Sequence, residues 1–418
     1  MTKKKINILI LPKWYPRDDR PVSGIFVREF ALAISKYCNV AVLFGHEDPS
    51  IKGFYRIKYK KDQNIKTFYV LYKKLGFSYL SYSIAMFLAF LKIRKNFYPD
   101  IIHVHVYSAG ILALILKYLY NIPYVVTEHF KIIKDDRLFE KIKILLGKII
   151  FEKADLLIHV SEFMVRDIEK YGIRNKYVII PNVVNTSIFY YSENFKNKNS
   201  EKKHILFVGN PTSRKGVDYL LKAIHVLKKK RTDFILNIVG DGEECQKYKN
   251  MCKNLDINDI TIFHGIKSKQ EIAKMMQKCQ FLVLPSLWEN LPCVLIESIS
   301  AGLPVIATDV GGIREIVNKN TGIIVPPGDA DKLSSAIDFM LDNYSKYNRN
   351  KISEYGRKRF DYNIIGKKLY NIYKNILNRK CSHISGGNST TTIETFKYEN
   401  IINNSKNKEK QRDGGTLK

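Results

Sequence analysis

The chain contains few cysteines, and their spacing excludes a disulfide scaffold. The six residues lie at positions 38, 245, 252, 279, 293 and 381 of 418 and form neither a C-x-x-C pair nor a regular framework. Disulfide scaffolds need such a framework and belong to oxidising compartments. We therefore expect reduced thiols and a cytoplasmic location.

Long hydrophobic runs are also missing. The N-terminal sequence MTKKKINILILP starts basic, but its apolar run is interrupted by Asn7 and ends at Pro12, which predicts a first strand and not a signal peptide. Residues 76–91 form an uncharged run of 16, shorter than the roughly 18 apolar residues of a membrane span, and they include three serines. They predict a buried helix or, alternatively, a helix in a membrane interface, because tyrosines alternate with lysines around them.

Acidic residues are scarce relative to basic ones. Asp and Glu number 40 against 69 Lys and Arg, a formal charge of +29. Such an excess favours polyanionic neighbours, namely nucleic acid, anionic lipid or phosphorylated substrates. No recognised nucleic-acid motif accompanies the charge, and the lysines are dispersed as well as clustered, so a nucleic-acid-binding protein is the disfavoured alternative.

Alternating strand and helix patterns are abundant. Apolar runs such as INILIL, VAVLF, DIIHV and YVVT alternate with helical patterns, and the alternation restarts after SENFKNKNSEKK with HILFV, FILNIV, FLVL and VIAT. This predicts parallel sheets covered on both faces. The expected fold is α/β, with two facing doubly wound (Rossmann-like) domains at residues 1–191 and 204–345, a linker at 192–203, helices at 346–380 and a disordered tail at 381–418. Ligands should bind at the carboxyl ends of both sheets.

Two carboxylates, Glu289 and Glu297, stand in the segment ENLPCVLIE, which follows shortly after the predicted strand FLVLPS. Pro292 suits the first turn of a helix, which places Glu289 on the preceding loop and Glu297 inside the helix. In helical geometry the two would lie about 12 Å apart along the axis, so they could face one elongated ligand at two depths. Glycoside hydrolases need carboxylates about 5 to 9.5 Å apart, so this spacing does not predict a hydrolase. Two solvated helix glutamates are the simpler alternative.

Lys215 lies in the loop GNPTSRKG, residues 209–216, between a strand and a helix. Such a loop presents backbone N–H groups and a positive helix end, and a lysine there completes a site for an anion such as diphosphate. The spacing is not that of a P-loop. Arg214 is adjacent in sequence but need not point in the same direction, and either side chain could simply lie on the surface.

Other candidates are less specific. Gly24 could let the backbone approach a ligand closely after the first strand, although an ordinary turn is the alternative, and no G-x-G-x-x-G follows that strand. His129 is a candidate for a polar substrate contact, whereas His103 and His105 share a strand face without a recognisable further metal ligand. Asp329 and Asp331 form a D-x-D sequence that is better explained by helix capping than by metal binding. Ser268 and Glu271 form a predicted capping box.

The order of these segments resembles the family-four retaining glycosyltransferases of the GT-B fold, from about residue 6 to about residue 377. The resemblance includes SGIFVREFALAISK, VVTEH, VIIPNVVNTSIF, FVGNPTSRKGVDYLLKA and IVGDGEE, and it is most specific over residues 284–312. It implies metal-independent transfer of a hexosyl group, without a cofactor, from a nucleoside diphosphate sugar to a glycan or lipid-linked acceptor in polysaccharide or lipopolysaccharide synthesis. It also implies that the helices after residue 345 cross back to the first domain. A peripheral position on the inner face of the cell membrane, with an anionic lipid surface as partner, is expected as well.

The resemblance assigns roles to individual residues. Glu297 would hydrogen-bond the ribose of the donor and Glu289 the sugar hydroxyls. Lys215 would neutralise the diphosphate, with Gly24 approaching it from the other domain, and His129 would contact the sugar near its anomeric carbon. The remaining expected donor contacts are Asn210, Arg214, Asn290 and Leu291.

Two positions depart from the pattern of the family. Asn210 stands where many relatives have Arg, so a second phosphate cation is either absent or supplied by Arg214. Pro292 stands where relatives often have Gly, and proline removes one backbone N–H. A sugar-nucleotide epimerase of the same two-domain fold is the alternative enzyme, and it would release an altered nucleotide sugar without any acceptor.

Overall fold

The computed structural model describes residues 5–76, 78–129, 138–193 and 202–384, the side chains of residues 138–144 and 381–384 excepted. Residues 1–376 form one compact unit, and residues 377–418 form a second unit of which only the end of the last helix is described. Most of the predicted linker (194–201) and the predicted tail beyond residue 384 lie outside the described residues. Below, residues 5–193 are called the first half and residues 202–384 the second half.

The strands described in the first half form one sheet. They are β1 (Asn7–Pro12), β2 (Asn39–Glu47), β3 (Tyr55–Asp62), β4 (Ile65–Tyr72), β5 (Ile101–His105), β6 (Tyr124–Glu128), β7 (Leu156–His159) and β8 (Tyr177–Ile179). Their order is β3-β4-β2-β1-β5-β6-β7-β8, and every neighbouring pair is parallel except the β3–β4 hairpin. The strands β1, β5 and β6 are rich in apolar residues and are buried on both faces, which is typical of a sheet covered by helices on both sides.

Helices connect these strands and cover the sheet. They are α1 (Ile25–Ser35), α2 (Ser78–Ile93), α3 (Ile111–Tyr120), α4 (Leu138–Lys153) and α5 (Glu162–Glu169). Residues 76–91, predicted as a buried or interfacial helix, correspond mostly to α2, which buries Ala85, Met86, Ala89 and Phe90 and exposes Leu80 and Ile84. Within the described ranges, no helix has the length and apolarity that crossing a bilayer requires.

The sheet of the second half is parallel throughout. Its described strands are β9 (Lys203–Val208), β10 (Phe234–Val239), β11 (Thr261–Phe263), β12 (Phe281–Leu284), β13 (Val305–Thr308) and β14 (Gly322–Val325). The order β11-β10-β9-β12-β13-β14 is that of a doubly wound Rossmann sheet, whose ligands bind where the strand order reverses. The reversal lies between β9 and β12, the strands that precede the loop with Lys215 and the segment with Glu289.

Helices also accompany the sheet of the second half. They are α6 (Val217–Lys228), α7 (Cys245–Asn254), α8 (Lys269–Lys278), α9 (Cys293–Ser300) and α10 (Ala330–Asn343).

The predicted capping box at α8 is confirmed, because the Ser268 side chain accepts from the Glu271 backbone and the Glu271 carboxylate accepts from the Ser268 backbone. Helix capping by Asp329 is confirmed as well, since its carboxylate accepts from Lys332 N at 2.8 Å. Pro292 directly precedes α9 instead of lying in its first turn, with Glu289 on the loop and Glu297 in the helix, as predicted.

The chain ends with α11 (Arg349–Phe360) and α12 (Tyr362–Ile384). α12 packs against α1 so closely that a Cβ at Gly366 would lie 2.3 Å from Ala33 O. Further along α12, the Tyr373 hydroxyl lies 2.7 Å from His103 Nδ1 on β5. This helix therefore contacts the first half, although it follows the second half in sequence.

Candidate functional site

A salt bridge between Lys215 and Glu289 lies where the order of the second sheet reverses. Lys215 Nζ lies 2.5 Å from Glu289 Oε1, and the Ser286 hydroxyl donates to the same oxygen at 2.7 Å. The side chains of Lys215 and Glu289 are 17% and 9% exposed. The lysine comes from the loop after β9 and the glutamate from the loop after β12, so two motifs distant in sequence form one charged cluster.

Two glycines explain why these loops approach each other. Gly216 has φ +67°, and a Cβ there would lie 2.0 Å from Pro285 O, the residue that follows β12. Gly311 has φ +59°, and a Cβ there would lie 2.1 Å from Glu289 O. Any other residue would be strained in this backbone region and would push the loops apart. The glycines therefore hold Lys215 and Glu289 within reach of each other.

Arg214 and Lys215 point to different partners, although they are adjacent in sequence. The Arg214 guanidinium is exposed and lies 5.7 Å from the Trp288 ring centre, a cation–π arrangement. Asn210 is exposed too, and its carboxamide lies against Gly242, where a Cβ would overlap it. These two contacts do not involve the salt bridge between Lys215 and Glu289.

Asn290 connects the two halves of the molecule. Its carboxamide accepts from the Ser161 hydroxyl at 2.7 Å and donates to His129 O at 3.3 Å. Its backbone carbonyl accepts from Gly312 N at 2.7 Å. Leu291 has its side chain in the core, and its carbonyl accepts from Asn182 at 2.6 Å. The residues directly after Glu289 thus contact the first half, where Asn290 binds the backbone carbonyl of His129.

His129 is held as a neutral imidazole. Its Nε2 lies 2.9 Å from His105 Nδ1, and the two rings stack at 5.2 Å with an interplanar angle of 13°. Phe26 packs on the ring at 4.5 Å between centroids. Burial lowers the pKa of His129 to about 3, with the neighbouring His103 as a smaller cause. A neutral ring donates and accepts hydrogen bonds but adds no positive charge at neutral pH.

Gly24 lies close to the backbone of Trp14. It has φ +64° at the start of α1, and a Cβ there would lie 2.2 Å from Trp14 O in the loop after β1. The glycine therefore fixes the position of the α1 N-terminus, where no side chain caps the helix. Its predicted approach to a diphosphate stays a prediction.

Glu297 belongs to a second buried cluster, whose other members were not predicted from the sequence. Its Oε1 lies 3.2 Å from Lys269 Nζ, and that ammonium lies 3.0 Å from Glu29 Oε2 on α1. Burial raises the pKa of Glu297, while Lys269 acts in the opposite direction. No local signal in the sequence distinguishes Lys269 from an exposed lysine near a helix start.

Metal ligands do not converge in the described part of the chain. Within it, no group of three or more His, Cys, Asp or Glu side chains could hold an ion. His103, one of the two histidines considered for metal binding, contacts the hydroxyls of Tyr373 and Thr127, each at 2.7 Å. The other, His105, contacts His129.

Two family models match the chain and cover most of both halves. Residues 24–188 match the model described as Glycosyltransferase Family 4, and residues 192–359 match the model described as Glycosyl transferases group 1. The chain belongs to glycosyltransferase family 4. The resemblance inferred from the motifs is therefore confirmed, and the paired Rossmann-like halves are those of the GT-B fold.

Similar proteins include enzymes that are themselves uncharacterised. An uncharacterised glycosyltransferase of Methanocaldococcus jannaschii is 32% identical over 262 residues, which cover 60% of this chain and 69% of the relative. An amylovoran biosynthesis glycosyltransferase of Erwinia amylovora is 30% identical over 140 residues, covering 32% of this chain and 34% of its own length. Among solved structures, Anabaena HepE in complex with UDP superimposes with a TM-score of 0.69 at 16% identity, over 88% of this chain and all of HepE.

Proposed function

We propose that this glycosyltransferase moves a hexosyl group from a nucleoside diphosphate sugar to a glycan or lipid-linked acceptor, with retention and without a metal ion. The main support is the salt bridge between Lys215 and Glu289, which Asn290 connects to His129 of the other half. A cation, a carboxylate and a neutral imidazole from two facing sheets are the groups that a diphosphate and a sugar would need. Anabaena HepE binds UDP in its crystal structure, which makes uridine diphosphate sugars the first donors to test.

The diphosphate would lie beside Lys215, at the end of the sheet where α6 begins. Negative charge on the diphosphate grows as the bond to the sugar breaks, and a fixed ammonium stabilises that charge. Glu289 would keep its contact with Lys215 through Oε1 and accept hydrogen bonds from sugar hydroxyls through its second oxygen. His129, neutral and fixed by His105, would hydrogen-bond the sugar near the anomeric carbon.

Retention would follow from attack on the face from which the diphosphate leaves. The lysine would assist departure, while the two halves orient the acceptor hydroxyl, so the rate would come from positioning and from charge stabilisation. We assign no protein nucleophile. Glu289 would stay close to Lys215 and Ser286 and serve as a hydrogen-bond acceptor.

A peripheral position at a membrane fits the surface of the first half. The exposed strand β3 presents Lys58, Lys60 and Lys61, and the neighbouring helix α2 exposes Leu80 and Ile84. Basic residues attract anionic lipid, and exposed leucines and isoleucines enter its interface. Lipid-linked acceptors would be presented at such a surface, and the role of the Erwinia amylovora relative in amylovoran biosynthesis agrees with a polysaccharide product.

The purified protein is to be incubated with UDP-, GDP- and ADP-sugars, with and without a membrane extract from a polysaccharide-producing bacterium. Released nucleoside diphosphate that requires the extract supports transfer to an acceptor, and NMR of the product gives its anomeric configuration. An altered nucleotide sugar formed without extract would instead identify an epimerase. An inverted product would contradict the proposed retention.

A further inference from the structure

Two carboxylates from opposite halves, one buried and one largely buried, share one ammonium. Lys269 Nζ on α8 lies 3.0 Å from Glu29 Oε2 on α1 and 3.2 Å from Glu297 Oε1 on α9. The side chain of Glu29 is 4% exposed and that of Glu297 12%. A buried carboxylate is costly unless a cation or hydrogen-bond donors face it. The orientation of Glu297 therefore depends on Lys269.

Glu29 is held in place independently of Lys269. The Tyr362 hydroxyl on α12 donates to Glu29 Oε2 at 2.5 Å. The Arg28 guanidinium lies 3.8 Å from the other Glu29 oxygen and is itself bound to Asp62 by two hydrogen bonds of 2.5 and 3.0 Å. Lys269 thus connects a carboxylate fixed on the first half to one that is proposed to bind the donor.

The groups facing Glu297 come from three helices besides its own. Lys269 and Glu29 face it from α8 and α1, the charge of Glu297 contributes to the raised pKa of Tyr362 on α12, and Cys293 lies one turn earlier on α9. Burial raises the pKa of the Cys293 thiol to about 12 and also raises the pKa of Tyr362, so both stay neutral. Of these four groups, Lys269 alone adds a positive charge. Burial lowers its pKa, but the two carboxylates outweigh burial and the pKa is raised.

We infer that Lys269 is a positioning residue for the nucleotide: it keeps Glu297 ionised and oriented toward the ribose, and it couples that carboxylate to α1 through Glu29. An ionised carboxylate accepts hydrogen bonds from two neighbouring hydroxyls through both oxygens, whereas protonation turns one of those oxygens into a donor. The inference rests on the proposed contact between Glu297 and the ribose. Lys269 itself does not need to touch the donor.

The test measures the dissociation constants of UDP, GDP and ADP by calorimetry between pH 5.5 and 8.5. At each pH the value for a variant is divided by the value for the wild type. Such ratios cancel the titration of the nucleotide phosphate. Lys269→Met should weaken binding at least about tenfold at pH 6 and recover toward wild type as the pH rises, because Glu297 without its cation must lose a proton first. Lys269→Arg should bind nearly as wild type. Glu29→Gln should lower the pH at which nucleotide binding begins to weaken, since it removes a negative charge that raises the pKa of Glu297.

At acidic pH, Lys269→Met should weaken nucleotide binding, whereas Glu29→Gln should strengthen it. These opposite effects distinguish a positioning role of Lys269 from damage to the fold. Equal weakening by both variants at every pH would indicate structural loss and overturn the inference. Lys267→Met, which removes a lysine two residues away that pairs with Glu271 outside this cluster, is the matched control and should bind as wild type.

Failure of the positioning role differs from failure of the proposed function. If Glu297→Gln bound all three nucleotides as wild type does, the ribose contact itself would be refuted. If Glu297→Gln lost affinity while Lys269→Met kept the wild-type pH dependence, the inference about Lys269 alone would be refuted.

Discussion

Lys215 and Glu289 form a close cation–carboxylate contact in the candidate site, at 2.5 Å between Nζ and Oε1. The ammonium is therefore oriented before a donor binds, and the carboxylate remains able to accept sugar hydroxyls through its second oxygen. This arrangement predicts that the two residues affect binding and turnover in different proportions.

We expect Lys215→Met to lower turnover by about 10²–10³-fold and to weaken nucleoside diphosphate binding, because the lysine faces charge that grows in the transition state. Glu289→Gln should lower turnover but leave nucleoside diphosphate affinity unchanged or tighter, since the free nucleotide lacks the sugar. Calorimetry with UDP, GDP and ADP, followed by transfer rates, separates the two effects. Lys222→Met on the exposed side of α6 is the control.

The roles would be exchanged if Glu289→Gln lost nucleoside diphosphate affinity while Glu297→Gln kept it. Normal transfer by both Lys215→Met and Glu289→Gln would place the donor site elsewhere.

Asn290→Ala should destabilise the contact between the two halves. It removes the hydrogen bonds to Ser161 and to His129 O and leaves buried polar groups without those partners. The expected cost is about 1–3 kcal/mol, measured as the loss in free energy of unfolding in urea. Asn320→Ala, in an exposed turn, should change the unfolding free energy by less than about 0.5 kcal/mol. An equally small effect at Asn290 would mean that its bridge contributes little to stability.

The buried histidines predict that the protein loses stability as the pH falls below about 6.5. Burial lowers the pKa of His103 and His129 to about 3 and that of His159 to about 4. Between those values and the ordinary pKa of histidine, the unfolded chain binds protons that the folded chain does not, so each histidine reduces stability by about 1.4 kcal/mol per pH unit. Urea midpoints at pH 7.5 and 5.5 measure the slope, and His159→Gln should make it shallower. An unchanged slope in that variant would contradict this account.

The sequence predicted the parallel sheets because their strands are continuous apolar runs bounded by polar residues. It did not predict the β3–β4 hairpin, in which lysines and tyrosines alternate along an exposed edge strand that resembles a solvated segment. The terminal helices could be placed against the first half only through the family resemblance, because no local pattern indicates what α12 packs on.

The donor motifs could be located from sequence because each follows a recognisable strand. Their partners could not be predicted in the same way. Glu29 stands on a helix whose polar residues would ordinarily face solvent, and it is buried because Tyr362 and Lys269 cover it. Contacts of this kind depend on tertiary packing between distant segments, which periodicity and spacing do not encode.

Metal independence is expected because Asp329 caps α10 with its carboxylate. Transfer rates should be the same in excess EDTA and after magnesium or manganese is restored. A control assay with a metal-dependent glycosyltransferase confirms that the chelator is effective. Activity that disappears in EDTA and returns with either ion would show that the D-x-D sequence, or another group of ligands, has been misinterpreted.

Membrane binding should depend on the basic strand β3. Each lysine near an anionic surface contributes about 1 kcal/mol, so Lys58→Ser combined with Lys61→Ser should weaken binding to phosphatidylserine-containing vesicles roughly thirtyfold at low salt. The matched control, Lys319→Ser with Lys332→Ser, removes the same charge from the second half and should weaken sedimentation with vesicles far less. Because the attraction is screened, the difference between the two double variants should shrink at high salt. If both double variants lost vesicle binding equally, net charge would act without a specific surface. If the wild type sedimented equally with anionic and neutral vesicles, electrostatic membrane association would be refuted.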